Sequence, residues 1–97
     1  MSTFKFYQLD ANHQPILCDR DTWDRQDRRV GLYDQEPILV STVFLGFDHG
    51  FLDDNGPPIL FETMIFGGKH DQYQERYTTW DDAVAGHERA VRRVKSA

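Results

Sequence analysis

Between Ile38 and Phe47 the chain reads Ile-Leu-Val-Ser-Thr-Val-Phe-Leu-Gly-Phe, and between Ile59 and Phe66 it reads Ile-Leu-Phe-Glu-Thr-Met-Ile-Phe. Both stretches are strand-length and rich in β-branched and aromatic residues, which suit a pleated, buried surface. Neither alternates cleanly. In the first, Val43, Leu45 and Phe47 line up on one side, while Val40, Thr42 and Phe44 on the other are almost as apolar. That pattern belongs to strands covered on both faces. The link from Asp48 to Pro58 (DHGFLDDNGPP) is made of turn formers and is too short for a crossover helix. The two strands are therefore expected to pair antiparallel.

On the C-terminal side, Trp80, Val84, His87, Val91 and Val94 recur at alternating steps of four and three. At roughly 100° per residue they form a stripe about 80° wide, which predicts an amphipathic helix. Thr79 is its natural N-cap with Asp82 three residues on, and Arg92, Arg93 and Lys95 suit its C-terminal dipole. Gly86 should cost this helix up to ~1 kcal/mol relative to Ala. It shares a flank with Ala83 and Ala90, which suggests close backbone packing there. Gln74–Tyr77 reads as a short edge strand.

Toward the N-terminus, Val30–Tyr33 is a candidate strand ending at the turn Asp34–Pro37. Residues 3–9 and 15–18 read as a hairpin around the turn formers Asp10–Gln14. Asp19–Arg29 is polar around a single Trp23 and predicts a short helix near residues 21–28, with Asp21 as N-cap. The expected architecture is α+β, approximately ββαβββα in one domain spanning 1–97. It is an antiparallel sheet of four to five strands with the C-terminal helix on one face. One helix covers one face well, so the second face needs the Trp23 segment, loops or another chain.

The 97 residues carry 16 Asp and Glu against 11 Lys and Arg, a net charge of −5. Apolar residues at 39% and aromatics at 13% permit a core and disfavour disorder. No apolar run approaches the ~20 residues that span a bilayer, so no membrane partner is expected. The start, Met1–Phe6, lacks the basic and apolar regions of a secretory signal. The single Cys18 excludes an internal disulfide framework and fits a reducing, cytoplasmic compartment. An acidic chain is also a poor direct ligand for nucleic acid.

Catalytic signatures are absent. Gly67-Gly68-Lys69 lacks the other elements of a phosphate-binding loop, no nucleophile elbow is present, and no cofactor motif is found. Cys18 has no local signature of a catalytic thiol. His49 and His70, with Asp48, Asp53, Asp54 and Asp71, have the ligand types of a metal-dependent hydrolase. Their spacing matches no metal motif, and solvated turns are the simpler account, so no metal site is assigned. His87 lies in the apolar helix stripe and reads as a partly buried neutral imidazole with one hydrogen-bond partner, not a general base.

Charge is unevenly distributed. From Asp48 to Asp82, eight acidic residues face only Lys69 and Arg76, a balance of −6. From Ala83 onward, Glu88 faces Arg89, Arg92, Arg93 and Lys95, a balance of +3. If Asp48, Asp53, Asp54, Asp71, Glu75, Asp81 and Asp82 meet in space, they form a negative surface that attracts a basic groove.

Val40–His49 (VSTVFLGFDH), Leu60–Gly68 (LFETMIFGG), Glu75–Trp80 (ERYTTW) and Ala85–Glu88 (AGHE) together resemble the core of a family of small acidic phage and prophage proteins. The likeness covers roughly residues 40 to 94 and brings no catalytic residues with it. It implies a bacterial host cytoplasm and a mobile-element context. By analogy with inhibitors that present a DNA-like surface, it implies a non-enzymatic protein that inhibits a nucleic-acid-targeting defence complex, such as a CRISPR effector. The expected partner is a protein or ribonucleoprotein with a basic surface, met by a monomer or homodimer. The alternatives are the small hydrolase using His49 and His70, and a homodimeric assembly module joined through the second sheet face.

Overall fold

Eight elements follow from these patterns in the computed structural model, which describes residues 5–47 and 57–96. They are β1 (Phe6–Leu9), β2 (Pro15–Cys18), α1 (Arg20–Arg25), β3 (Arg29–Gln35), β4 (Ile38–Phe44), β5 (Phe61–Phe66), β6 (Gln74–Tyr77) and α2 (Trp80–Lys95). The order is ββαβββα with one further strand. β3 to β6 form an antiparallel four-stranded meander in the order β3-β4-β5-β6, and β1 and β2 form a separate two-stranded sheet. The hairpin thus stands apart from the main sheet, tied to it by the bridge Phe6–Phe47 and by the Tyr7 amide donating to the Gly46 carbonyl at 2.7 Å.

Several boundaries move. The two apolar stretches are expected to run 38–47 and 59–66, but their strands cover only 38–44 and 61–66. At Gly46 the backbone turns to φ +76° and the Trp23 ring approaches it closely, so that a methyl there would come within 2.5 Å of the Trp23 nitrogen. The short helix is capped by Asp19, not Asp21: the Asp19 carboxylate accepts from the Thr22 amide at 2.8 Å. The cap of α2 is Thr79, whose hydroxyl accepts from the Asp82 amide at 3.1 Å.

Register decides which side chains share a face. Gly31, Thr42 and Thr63 lie in one row across β3, β4 and β5, and Phe44, Phe61 and Tyr77 in another. These rows face α2, and with Val40 and Ile65 they form the buried layer. Tyr7, Leu9 and Trp80 close the end of that layer nearest the start of α2. The opposite face carries Leu32 and Asp34, then Leu39, Ser41 and Val43, then Glu62, Met64 and Phe66. Among the described residues no helix or strand packs on it, for α1 and the hairpin gather at the end of β4 instead. There the Trp23 indole N–H donates to the Leu45 carbonyl at 2.9 Å, and its ring meets Phe47 edge-on. No described helix is long and apolar enough to cross a membrane.

Candidate functional site

The polar side chains that the fold buries form one ladder beneath α2. The Tyr77 hydroxyl lies 3.1 Å from Thr63 Oγ1, which lies 2.5 Å from Thr42 Oγ1, which in turn lies 2.7 Å from His87 Nδ1. Thr42 and Thr63 are fully buried cross-strand partners, so the ladder crosses the sheet along a row that the register fixes. Two glycines make room for its ends. A methyl on Gly31 would stand 2.8 Å from the His87 ring, and one on Gly86 would overlap the Tyr77 hydroxyl and ring.

Each hydroxyl has one proton, so the ladder is satisfied in one direction at a time. Tyr77 can donate toward Thr63, with His87 Nδ1 accepting at the far end. Alternatively Tyr77 donates to the Glu75 carboxylate, and the other protons reverse. Hydrogen bonds from Tyr77 and from Arg89 hold Glu75 below the usual carboxylate range. Glu75 also accepts from Arg89 at 2.8 Å, so the ladder ends in an ion pair at the surface.

Burial pushes the Tyr77 phenol up to about 12 and pushes His87 below its ordinary value. The neutral forms are thus the ones the fold holds. Both shifts have consequences for stability. A His lowered in the folded state contributes fully above about pH 6.5, and that contribution is lost as pH falls through the window below it. Urea midpoints should therefore drop between pH 7.5 and pH 5.5, and His87→Gln should flatten that drop. For Tyr77 the sign is opposite. Its contribution is present below about pH 10 and is lost toward pH 12, at most about 3 kcal/mol. Absorbance at alkaline pH should show one tyrosine ionising last, and Tyr77→Phe should remove that step.

The acidic residues expected to meet a partner do not share one position. Asp48, Asp53, Asp54 and also His49 lie outside the described residues. Asp71 sits in the β5–β6 turn, where its carboxylate accepts from the Gly67 amide at 2.6 Å. That turn is at the far end of the sheet from the start of α2. Glu75 is half-buried and paired with Arg89, which removes it from a docking surface. Asp81 and Asp82 are exposed in the first turn of α2, on the rim of a groove beside His13 and Pro15. There the His13 ring stacks on Trp80 at 3.8 Å. Glu62, outside the predicted set, is neutralised by Arg76 at 2.9 Å.

No group of three metal-ligating side chains gathers among the described residues. Cys18 is half-buried, and burial raises its thiol pKa, the reverse of an activated nucleophile. What sequence reasoning missed is the ladder. Thr42 and Thr63 read as ordinary strand residues, and only register shows them opposite each other. The available signal is a threonine at the centre of each of two strands that are otherwise apolar.

Together these features define a small α+β domain with a buried hydroxyl ladder between its helix and a four-stranded meander, and a second sheet face that no described helix or strand covers. No protein-family model, curated protein or solved structure matches the chain.

Proposed function

We propose that this chain is a non-enzymatic accessory protein that acts by docking on a host protein or ribonucleoprotein. In the phage-type reading, that partner is a nucleic-acid-targeting defence complex, which the docking inhibits. The observation that supports docking is a sheet face that no described helix or strand covers. Leu32 is 43% exposed and Phe66 39% exposed, with Leu39, Val43 and Met64 half-buried between them. Charges stand at its margin, namely Asp34 and the Glu62–Arg76 pair. An apolar centre with a polar rim is the anatomy of a protein-binding surface. By contrast, the groups with catalytic potential, Tyr77 and His87, are engaged in the buried row beneath α2, His87 with Thr42 and Tyr77 with Thr63.

A DNA-like mode of inhibition is favoured by a second observation: Asp81 and Asp82 are exposed at a helix start and take part in no ion pair among the described residues. Fields from such charges raise the encounter rate with a basic groove.

Competition between this protein and DNA for a purified CRISPR effector tests both. Met64→Lys/Phe66→Lys should abolish competition while leaving the melting temperature within a few degrees. Loss only in Asp81→Lys/Asp82→Lys assigns the activity to the acidic end. Competition that persists unchanged in both variants, or none by the wild type, overturns this reading.

A further inference from the structure

We propose that two copies of the chain pair antiparallel along β3, joining their meanders into one eight-stranded sheet. β3 is an edge strand of seven residues, with β4 on one side and, among the described residues, no strand on the other. Such an edge presents unpaired backbone groups to any matching strand.

The side chains of β3 are complementary to themselves. The β3–β4 register shifts between Arg29 and Gly31, so Val30 is an extra residue. Arg29 pairs with Val43, Leu32 with Ser41 and Asp34 with Leu39, which puts all three on the open face. Val30 packs into the opposite, buried layer. Without the bulge, strict alternation would place Arg29 on the other face from Leu32 and Asp34. Bulges often blunt an edge; this one aligns its charges.

A two-fold axis through Leu32 sets the exposed Leu32 side chain against its copy. It also brings Asp34 of each chain across from the bulge of the other, where Arg29 stands on the same face. The apolar contact then lies on the axis and two equivalent Asp34–Arg29 ion pairs flank it, as an isologous interface requires. Arg29, Leu32 and Asp34 are all exposed, and neither charge is engaged in an ion pair among the described residues. α2 lies on the other face of the sheet and leaves this edge accessible.

The pairing does not depend on the docking function proposed above. It leaves Met64 and Phe66 uncovered, so its failure and the failure of that reading are distinguishable.

Sedimentation equilibrium of the full chain in low salt, from about 10 to 500 µM, tests it. The wild type should approach twice the monomer mass, and added salt should weaken the association. Arg29→Asp and Asp34→Arg should each be monomeric, because each sets like charges opposite one another. The double variant Arg29→Asp/Asp34→Arg should regain the dimer, since it restores both pairs with their signs exchanged. Circular dichroism of each variant separates lost pairing from lost folding. A wild type that stays monomeric overturns the proposal, as does a dimer that both single charge variants leave intact. So does a double variant that folds yet fails to recover.

Discussion

Gly86→Ala is expected to destabilise the protein by about 2 kcal/mol or more, although helix propensity alone predicts a gain of up to ~1 kcal/mol. Gly86 is buried in the middle of α2, where the helix backbone meets Tyr77. The added methyl would overlap the Tyr77 hydroxyl and the adjoining ring carbons. Tyr77 is itself pinned, because its ring fills the layer of Phe44 and Phe61 and its hydroxyl holds Thr63. It has no other rotamer to take without emptying that layer, so α2 must lift. Lifting α2 also unseats Ala83 and Ala90, both buried against the sheet. For a chain of this size the melting temperature should fall by roughly 10 °C or more. A melting temperature unchanged or raised in Gly86→Ala would show that the helix can slide at low cost. Gly68→Ala is the useful contrast, since Gly68 lies outside α2 and its φ of +73° makes the penalty one of backbone strain.

Thr63→Val is expected to cost about 1–3 kcal/mol with almost no change in shape or volume. Thr63 Oγ1 is the middle rung, bonded to both Thr42 and Tyr77. Its loss takes one hydrogen bond from each of two neighbours in a buried row, leaving Thr42 with His87 Nδ1 and Tyr77 with the Glu75 carboxylate. The test of this account is non-additivity. Thr42→Val/Thr63→Val/Tyr77→Phe removes the three hydroxyls together and takes its partner from His87 Nδ1 alone. It should cost clearly less than the sum of its three single variants. Denaturant midpoints of the single and triple variants decide it: a triple variant weaker by the sum of its parts would mean the rungs act independently.

Much of the fold was legible along the chain because it depends on local chemistry. The stripe Trp80–Val84–His87–Val91–Val94 predicts α2 and Thr79 predicts its cap, since both follow from residues within one or two turns. The antiparallel pairing of β4 and β5 follows from a link too short to cross over. The boundaries of the short helix were not legible: Asp19 and Asp21 are equally good caps by type, and the choice rests on which carboxylate reaches an open amide.

The acidic residues show the limit most clearly. Asp71, Glu75, Asp81 and Asp82 fall within twelve residues, yet they lie in three settings: a turn carboxylate, the partner of Arg89, and an exposed helix start. Closeness in sequence could not separate them, because β6 carries the chain the length of the sheet between Asp71 and Asp81.

By itself the sequence determined the element types, their order and the antiparallel connection. These rest on periodicity, turn chemistry and link length, which act over a few residues. The side of α2 that turns inward is not the stripe itself but its flank of small residues, for Ala83, Gly86 and Ala90 are buried while of the stripe only Val94 is. Only the tertiary structure decided that Thr42, Thr63, Tyr77 and His87 form one ladder, that Glu75 belongs to it, and that no described helix or strand covers the second sheet face. Those outcomes depend on register between strands far apart in the chain, where a shift of a single residue turns every side chain to the other face.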